Sequence, residues 1–427
     1  MKTKSYLNDK SILVYDYGLC LEIARKLAEK FGKVFYYVPW QDAFPTLNKS
    51  LIGLGFEDEG IFKVNSFWDY VDDVDLIATF DTYSQDIFEY LKSKGYKVFA
   101  PGFGEWIEND RLFGRQIQAQ VGLPVQQSTK ITGVENLREY LKNNPDVYVK
   151  LNSFRGLIET FYSKDYESSE VFLDYISEKL GQAKDRIDFL VEKKIDGLEP
   201  GYDGFVVDGQ YPNYGLFAYE KKGSGYIASV QKYQDIPEPI KIINDKLAKF
   251  FKDNKIRSFF STEVIVTKER EGYLIDPTVR SPMPVPTAVQ LEIYDNIPEF
   301  IYEAGVNGKL IDLEPKYRYG GGVALDSDWA NDNWMEIIIK DKDILPYVKF
   351  RRVIKKDNRF FAVPGFSSVC SVIGLGDSVD EVINQVNERL DYISGFELQK
   401  NTTGLMSIKE DIEKGEKEYN LSFRSTL

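Results

Sequence analysis

Two carboxylates, a hydroxyl and a guanidinium lie at short spacing in one part of the chain. Glu263 falls in a short apolar run, and Asp276, Thr278 and Arg280 fall in a second run beyond a charged turn at residues 268–272. The pattern predicts a β-hairpin, and because strand side chains alternate between faces, the last three residues project from one face. Magnesium takes oxygen ligands, typically one or two carboxylates together with substrate phosphates. The hairpin therefore predicts a surface for Mg²⁺ and phosphate, the alternative being a solvated hairpin face.

Composition narrows the chemistry that this surface can perform. The chain has 427 residues and no histidine. Its length predicts two to four domains. The absence of histidine excludes Ser-His-Asp hydrolysis, histidine general-base catalysis and zinc sites that contain histidine. The net charge of −13 argues against a nucleic-acid partner, since such binding relies on clustered Lys and Arg. Any reaction must then use carboxylates, Lys, Arg, hydroxyls and a metal.

The sequence also indicates where in the cell the protein is expected. The sequence contains no apolar run long enough to span a membrane and no signal-peptide pattern, so we expect no membrane partner and a cytoplasmic protein. Cys20 and Cys370 are too few for a disulfide scaffold, and both are expected to be buried thiols.

The order of elements predicts a fold of mixed class, α/β followed by α+β. The first hundred residues alternate strand and helix, which indicates an open parallel sheet. A helix is predicted over 108–121, and residues 151–310 mix strands and helices without a βαβ repeat. A strand-rich segment follows from 319 to about 398, and the polar tail carries a helix at 407–419.

Three further segments precede the hairpin and carry residues suited to a nucleotide. A strand delivers Lys150 into a loop at 152–160, a second strand leads through Glu192 to Glu199, and a third ends at Lys222 before a Gly-Ser-Gly turn. Taken singly, each is an ordinary surface lysine, strand edge or turn. Their conjunction in one order, ahead of the hairpin, argues against a purely structural explanation of all four segments.

This series resembles the ATP-grasp superfamily of ATP-dependent ligases, with hinge and phosphate motifs similar to those of D-alanine–D-alanine ligase. The resemblance implies that ATP lies between two α+β lobes, with Mg²⁺, or alternatively Mn²⁺, beside its phosphates. It implies a metal site of Glu263, Asp276 and Thr278 and catalytic roles for Arg280 and Lys222. It implies nucleotide-binding roles for Arg115, Lys150, Ser153, Arg155, Glu192, Lys193, Ile195, Glu199 and Lys222.

The segment 111–124 is similar to the entry into glycinamide ribonucleotide synthetase (phosphoribosylamine–glycine ligase) and its relatives. That family has a phosphate-contacting lysine where this chain has Arg115. The chain departs from the pattern in two further ways. Thr278 replaces a metal-binding Asn, and the loop 152–160 has one glycine, so that its phosphate contacts would rely on Asn152, Ser153 and Arg155.

The resemblance also implies a division of the chain. Residues 1–105 form an N-terminal α/β domain and 106–312 a two-lobed ATP-grasp region, with lobe one at about 125–190 and lobe two at about 191–312. Residues 313–400 form a small strand-rich C-terminal domain, and 401–427 a polar tail with a helix.

The implied activity is that of an ATP- and Mg²⁺-dependent carboxylate–amine ligase that acts through an acyl phosphate. Its partners would be a small-molecule carboxylate and an amine, and a homodimer is left open. Two alternatives remain at this stage: an ATP-binding module without ligase activity, and an ATP-dependent small-molecule kinase on the same scaffold.

Overall fold

The computed structural model describes residues 5–39, 47–152 and 160–427. Ser153 and Arg155, two of the predicted nucleotide-binding residues, lie outside these ranges.

The N-terminal part is a five-stranded parallel sheet in the order β3-β2-β1-β4-β5. Its elements are β1 (Ser11–Tyr15), α1 (Leu21–Ala28), β2 (Lys33–Tyr37), β3 (Ile61–Val64), β4 (Leu76–Thr79), α2 (Gln85–Ser93) and β5 (Val98–Phe99). The central strand β1 is buried along nearly its whole length, as expected of a strand covered on both faces. The parallel sheet predicted from strand–helix alternation is confirmed, with one additional strand, β3.

A second, antiparallel sheet follows in the order β6-β9-β7-β8. The elements of this segment are α3 (Trp106–Asn109), α4 (Arg111–Gln120), β6 (Ser128–Thr132), α5 (Val134–Asn143), β7 (Val147–Leu151), β8 (Thr160–Ser163), α6 (Tyr166–Leu180) and β9 (Asp188–Lys193). The sheet encloses a small core of its own, in which Val149, Leu173 and Phe189 are fully buried. We refer to this unit as the first lobe.

An eight-stranded sheet is the largest element of the remaining part, in the order β14-β13-β10-β11-β12-β15-β20-β17. A smaller sheet, β18-β19-β16-β21, adjoins it. The strands are β10 (Pro200–Val207), β11 (Tyr214–Lys221), β12 (Gly225–Lys232), β13 (Arg257–Val266), β14 (Gly272–Thr278), β15 (Tyr319–Asp326), β16 (Met335–Ile339), β17 (Val348–Phe350), β18 (Val353–Lys356), β19 (Arg359–Ala362), β20 (Ser368–Gly376) and β21 (Ile393–Ser394). The helices are α7 (Glu238–Asp253), α8 (Val285–Ile293), α9 (Ile297–Tyr302), α10 (Val379–Leu390) and α11 (Thr403–Glu418).

The strands β10 to β14 form what we call the second lobe, and β15 continues the same sheet by pairing with β12. A single large apolar core runs from the N-terminal sheet through the second lobe into the strands beyond 319. Within the described ranges, none of the helices is long and apolar enough to cross a membrane.

The prediction of one helix over 108–121 is wrong in one respect, because the helix is interrupted at Asp110. The backbone there is extended, and the Asp110 carboxylate accepts a hydrogen bond from the Phe113 amide at 3.0 Å. An aspartate that caps the following helix stabilises its first turn and explains the break. The result is two helices, α3 and α4, that present Glu108 and Arg115 separately.

Candidate functional site

The hairpin predicted from the sequence is present as β13 and β14. Glu263 pairs with Asp276 across the two strands, and Ser261 pairs with Thr278. Asp276, Thr278 and Arg280 are half-buried, whereas the residues between them are buried, so the three share one face of the strand.

A β-bulge sets the pairing of the two carboxylates. Val264 pairs with Leu274, so an uninterrupted ladder would place Ile275 opposite Glu263. The register shifts between Glu263 and Val264, and Asp276 takes that place instead. Bulges re-aim side chains in this way, because the extra residue moves the following ones to the other face. Without the bulge, Asp276 would lie on the face opposite Glu263.

The bulge also offers its carbonyl oxygens to two cations from other parts of the chain. Arg115 of α4 donates to the carbonyls of Leu274 and Ile275 at 3.0 and 3.1 Å. Lys150 of β7 donates to the Ile275 carbonyl at 3.3 Å. The first lobe therefore reaches the second lobe at the residue that precedes Asp276.

Glu192 joins these two cations from the first lobe. Its carboxylate accepts from Arg115 Nε at 2.6 Å and lies 3.0 Å from Lys150 Nζ. Burial raises the pKa of Glu192, but the charges of Lys150 and Arg115 outweigh burial and the net shift is downward. Burial lowers the pKa of Lys150, and Glu192 opposes that shift. The three side chains form a buried charge network, in which Arg115 is hydrogen-bonded and Lys150 ion-paired to Glu192.

Lys193 and Ile195, the predicted hinge, follow at the end of this strand. The Lys193 amide donates to the Gln127 carbonyl at 3.2 Å, and its own carbonyl accepts from the Gln126 side chain. The Lys193 side chain is exposed, and Ile195 is half-buried. The backbone of the predicted hinge is thus hydrogen-bonded to the segment that enters the first lobe.

The second lobe gathers further charges around Glu263. Lys222, exposed after β11, lies 3.4 Å from the Glu263 carboxylate, whose charge raises the pKa of Lys222. Burial, followed by the charges of Asp276 and Glu199, raises the pKa of Glu263 despite the opposing effect of Lys222. Desolvation by the surrounding protein, then the Glu263 charge, raises the pKa of Glu220 to about 8, although solvent still reaches this side chain.

These carboxylates exceed the cations that face them, so their mutual repulsion would be relieved by a bound cation. Glu263 and Asp276 supply oxygen ligands of the kind that Mg²⁺ takes. Within the described residues no group of three or more Asp, Glu, His or Cys side chains is arranged to hold a metal ion. The donor set fits an ion that completes its coordination with substrate oxygens.

Arg280 turns towards the N-terminal domain. Its Nε donates to Glu108 at 2.8 Å and lies 3.8 Å from Asp81. The other oxygen of Glu108 accepts from the Val279 amide at 2.9 Å. Burial lowers the pKa of Arg280, but Glu108, Asp81 and Asp276 together raise it. The guanidinium therefore links the hairpin to α3 and to Asp81 in the loop after β4.

Sequence reasoning missed Glu108, Asp81 and Glu220 as members of this site. Asp81 carried a usable signal, because it is the second residue after the buried parallel strand β4, and ligand-facing residues collect at such strand ends. Glu220 belongs to the same Tyr-Glu-Lys-Lys run as Lys222. Glu108 gave no signal, since an acidic residue in a predicted helix is usually solvated.

No protein-family model matches the chain, and no curated protein sequence does. Solved structures are similar over nearly the whole chain. Phosphoribosylamine–glycine ligase from Thermotoga maritima has a TM-score of 0.69 and 16% identity, covering 92% of this chain and 99% of that one.

Two other similar structures are of enzymes that are described as catalysing different reactions. The biotin carboxylase domain of Hydrogenobacter thermophilus 2-oxoglutarate carboxylase, in complex with MgADP and bicarbonate, has a TM-score of 0.63 and 14% identity, covering 97% and 96% of the two chains. L-amino acid ligase from Bacillus licheniformis has a TM-score of 0.60 and 14% identity, covering 91% and 98%. The likeness holds at low identity across three different enzymes and therefore concerns architecture. The chain has the ATP-grasp fold that its motifs implied.

Proposed function

We propose that this protein is an ATP- and Mg²⁺-dependent carboxylate–amine ligase. One observation carries the proposal: Lys150 of the first lobe reaches the carbonyl of Ile275, next to Asp276 on the second lobe. A phosphate-binding cation and a carboxylate pair thus meet where the two lobes meet. The similar structures support the reaction class, since two are described as ligases and a third holds MgADP.

In this proposal the nucleotide lies between the lobes. Lys193 and Ile195 would face the adenine, and Glu199 the ribose hydroxyls, while Lys150 and Lys222 hold phosphate oxygens. Arg115 would act mainly through Glu192, because its Nε, Nη1 and Nη2 atoms already donate within the protein. Glu263 and Asp276, with Thr278 beside them, would hold Mg²⁺, which when bound neutralises charge on the phosphate oxygens.

The reaction would begin when an oxygen of the acid substrate attacks the γ-phosphorus of ATP. The bond to ADP breaks and an acyl phosphate forms; the amine then attacks the acyl carbon, and inorganic phosphate leaves with the loss of one amine proton. Catalysis of the first step is chiefly positioning and electrostatic stabilisation, because charge spreads over the phosphoryl oxygens. Lys222 and Arg280 would supply fixed positive charge for this step. Every step runs without histidine, in agreement with the composition.

The test is a screen for ADP release with paired carboxylates and amines, with amino acids prominent in both sets. A ligase releases ADP only when both substrates are present, and the coupled product has the summed mass less water. ADP release with the acid alone, together with a stable phosphorylated product, would identify a kinase instead. ATP binding without turnover across the screen would identify a nucleotide-binding module.

A further inference from the structure

Arg351 is a buried arginine that lies between β17 and β18. Only 6% of its surface is exposed. Among the described residues its Nε atom has no hydrogen-bond partner, and the guanidinium forms no ion pair. The guanidinium carbon lies over the face of the Phe366 ring, 4.9 Å from the ring centroid. A buried charge without a paired anion is costly, and proteins rarely retain one without a use.

The titratable and charged groups near Arg351 do not supply the missing anion. Those whose charge acts on its guanidinium are Cys20, Asp81, Asp326 and a second cation, Arg280. Asp81 already lies 3.8 Å from Arg280, and burial raises the pKa of both Asp81 and Asp326, which disfavours their charged forms. Burial in turn lowers the pKa of Arg351 itself to about 10. The positive charge is therefore incompletely balanced within the protein.

Arg351 and the groups around it lie at a place in the fold where α/β sheets bind ligands. Cys20 follows β1 and Asp81 follows β4, and these two neighbouring strands mark the point where the strand order reverses. Ligands of open parallel sheets bind outside the carboxyl ends of the strands at such a point. In the loop after β4, the buried hydroxyls of Thr82 and Ser84 also have no hydrogen-bond partner among the described residues.

We propose that Arg351 binds an anionic group of the substrate, a carboxylate or a phosphate, in the crevice between the carboxyl ends of β1 and β4. The inference rests on the proposed function and adds the class of substrate: a small molecule that carries a second anion besides the reacting carboxylate. Arg280 is near enough to both Asp276 and Arg351 for their charges to interact. A ligand held at Arg351 can therefore extend past Arg280 towards the phosphoryl donor. A guanidinium suits this task because its planar fork matches both anions in two-point contact.

The test uses two probes, inorganic phosphate and succinate, titrated into the full-length protein by calorimetry. Each titration is run with saturating MgADP, which occupies the nucleotide site, and again without nucleotide. We expect the parent to bind at least one probe in the presence of MgADP, and the comparison of the two probes identifies the preferred anion. Arg351→Met should weaken that binding roughly tenfold or more, because a charge-assisted contact is lost. MgADP affinity should be unchanged.

Arg389→Met is the matched control. Arg389 is also a partly buried arginine of this part of the chain, but it donates to the Ile373 carbonyl and stacks on Tyr347. The Arg389→Met variant should bind the anion with the same affinity as the parent. Where Arg351→Met does not fold, Arg351→Lys keeps the charge, loses the planar fork and is held to the same criterion.

The proposal is overturned if the parent binds neither probe, if the Arg351 variant binds like the parent, or if both variants lose binding equally. Failure of the proposed function would be seen separately, as absence of MgADP binding. The titration without nucleotide would still report on Arg351 in that case.

Discussion

At the scale of single residues, the two carboxylates of the hairpin pair with each other, whereas Arg280 turns away from them to Glu108 of α3. Glu263 and Asp276 were predicted to face each other, and they are paired. Arg280 was expected beside them or beside phosphate, yet its closest partner is Glu108 of α3. That partner lies far away in sequence, and only the packing of α3 on β14 brings the two together. Periodicity reports the face of a strand but not the group that covers it.

Arg280 should matter more to turnover than to ATP affinity. Arg280→Lys keeps a charge but cannot hold Glu108 and contact phosphoryl oxygens with one planar group. Interactions made only in the transition state affect kcat and leave ground-state binding unchanged. We expect kcat to fall roughly tenfold or more, with unaltered MgATP affinity. The rate of ADP release at saturating MgATP measures kcat, once a substrate pair is known.

Arg257→Lys serves as control for that experiment. Arg257 lies at the other end of β13 and donates to both oxygens of Asp208. This variant should lose some stability and keep its kcat. A normal kcat with a lowered melting temperature in Arg280→Lys would instead give Arg280 a structural role.

Glu105 should make the stability of the fold depend on pH. Burial raises its pKa to about 7, and its Oε2 atom has no hydrogen-bond partner among the described residues. Between about pH 4.5 and 7 the folded state holds a proton that the unfolded state releases, so stability falls as pH rises through this window. The loss amounts to about 3 kcal/mol at most.

Melting temperatures of the parent and Glu105→Gln, compared from pH 5 to pH 8, test this expectation. The melting temperature of Glu105→Gln should rise relative to that of the parent as pH increases. The melting temperature of Glu178→Gln, changed at an exposed position, should vary with pH as that of the parent does. Parallel curves for the parent and Glu105→Gln would contradict the assignment.

At the scale of elements, local patterns predicted the hairpin, the parallel strands and the C-terminal helix. The helix expected at 407–419 is α11, Thr403–Glu418. The patterns missed β3, whose four residues do not alternate in polarity, and the break at Asp110. They also missed the bulge at Ile275, since a one-residue change of register leaves no mark in the sequence. It is this bulge that places Asp276 opposite Glu263.

Helix α11 should support the turn that carries Lys222. A side chain at Gly404 would come within 2.7 Å of the Ser224 backbone, in the turn between β11 and β12. Asp411 of the same helix lies 2.5 Å from Lys221. Gly404→Val should therefore displace the turn, cost about 1–3 kcal/mol and weaken MgATP binding. Thermal melting and calorimetry measure the two effects.

Met406→Val is the control, because Met406 is exposed on the same helix and the new residue is again β-branched. It should leave both measurements near those of the parent. A Gly404 variant that melts earlier but binds MgATP normally would show that the helix only stabilises the sheet.

At the scale of the whole molecule, the order of its parts was predicted, but the way they join was not. The strand-rich C-terminal domain was predicted over residues 313–400, and its first strand, β15, continues the sheet of the second lobe by pairing with β12. Edge pairing between distant strands depends on tertiary packing, which the sequence pattern does not report. The division into domains stays a prediction; the pairing of β9 would place the boundary between the lobes after Lys193 rather than near 190.

The first lobe should respond to nucleotide as a unit, since its core is separate from the main core. Proteins unfold locally in such cooperative units, and a ligand that bridges two units suppresses their local unfolding. Hydrogen exchange should slow in β6, β7 and β9 on addition of MgATP, while β15 and β20 exchange as before. Equal slowing throughout the chain, or none in the first lobe, would count against a nucleotide held between the lobes.

The most direct test of the central claim is a calorimetric titration of MgATP into the parent protein and into Asp276→Asn. The claim is that the paired carboxylates of the β13–β14 hairpin hold the metal of a bound nucleotide. The parent should bind ATP in the presence of Mg²⁺ and lose most of that affinity when the metal is chelated. Asp276→Asn should bind MgATP roughly tenfold more weakly, because a charged oxygen ligand is lost. Equal affinity in the two proteins, or binding by the parent that is indifferent to the metal, would contradict it.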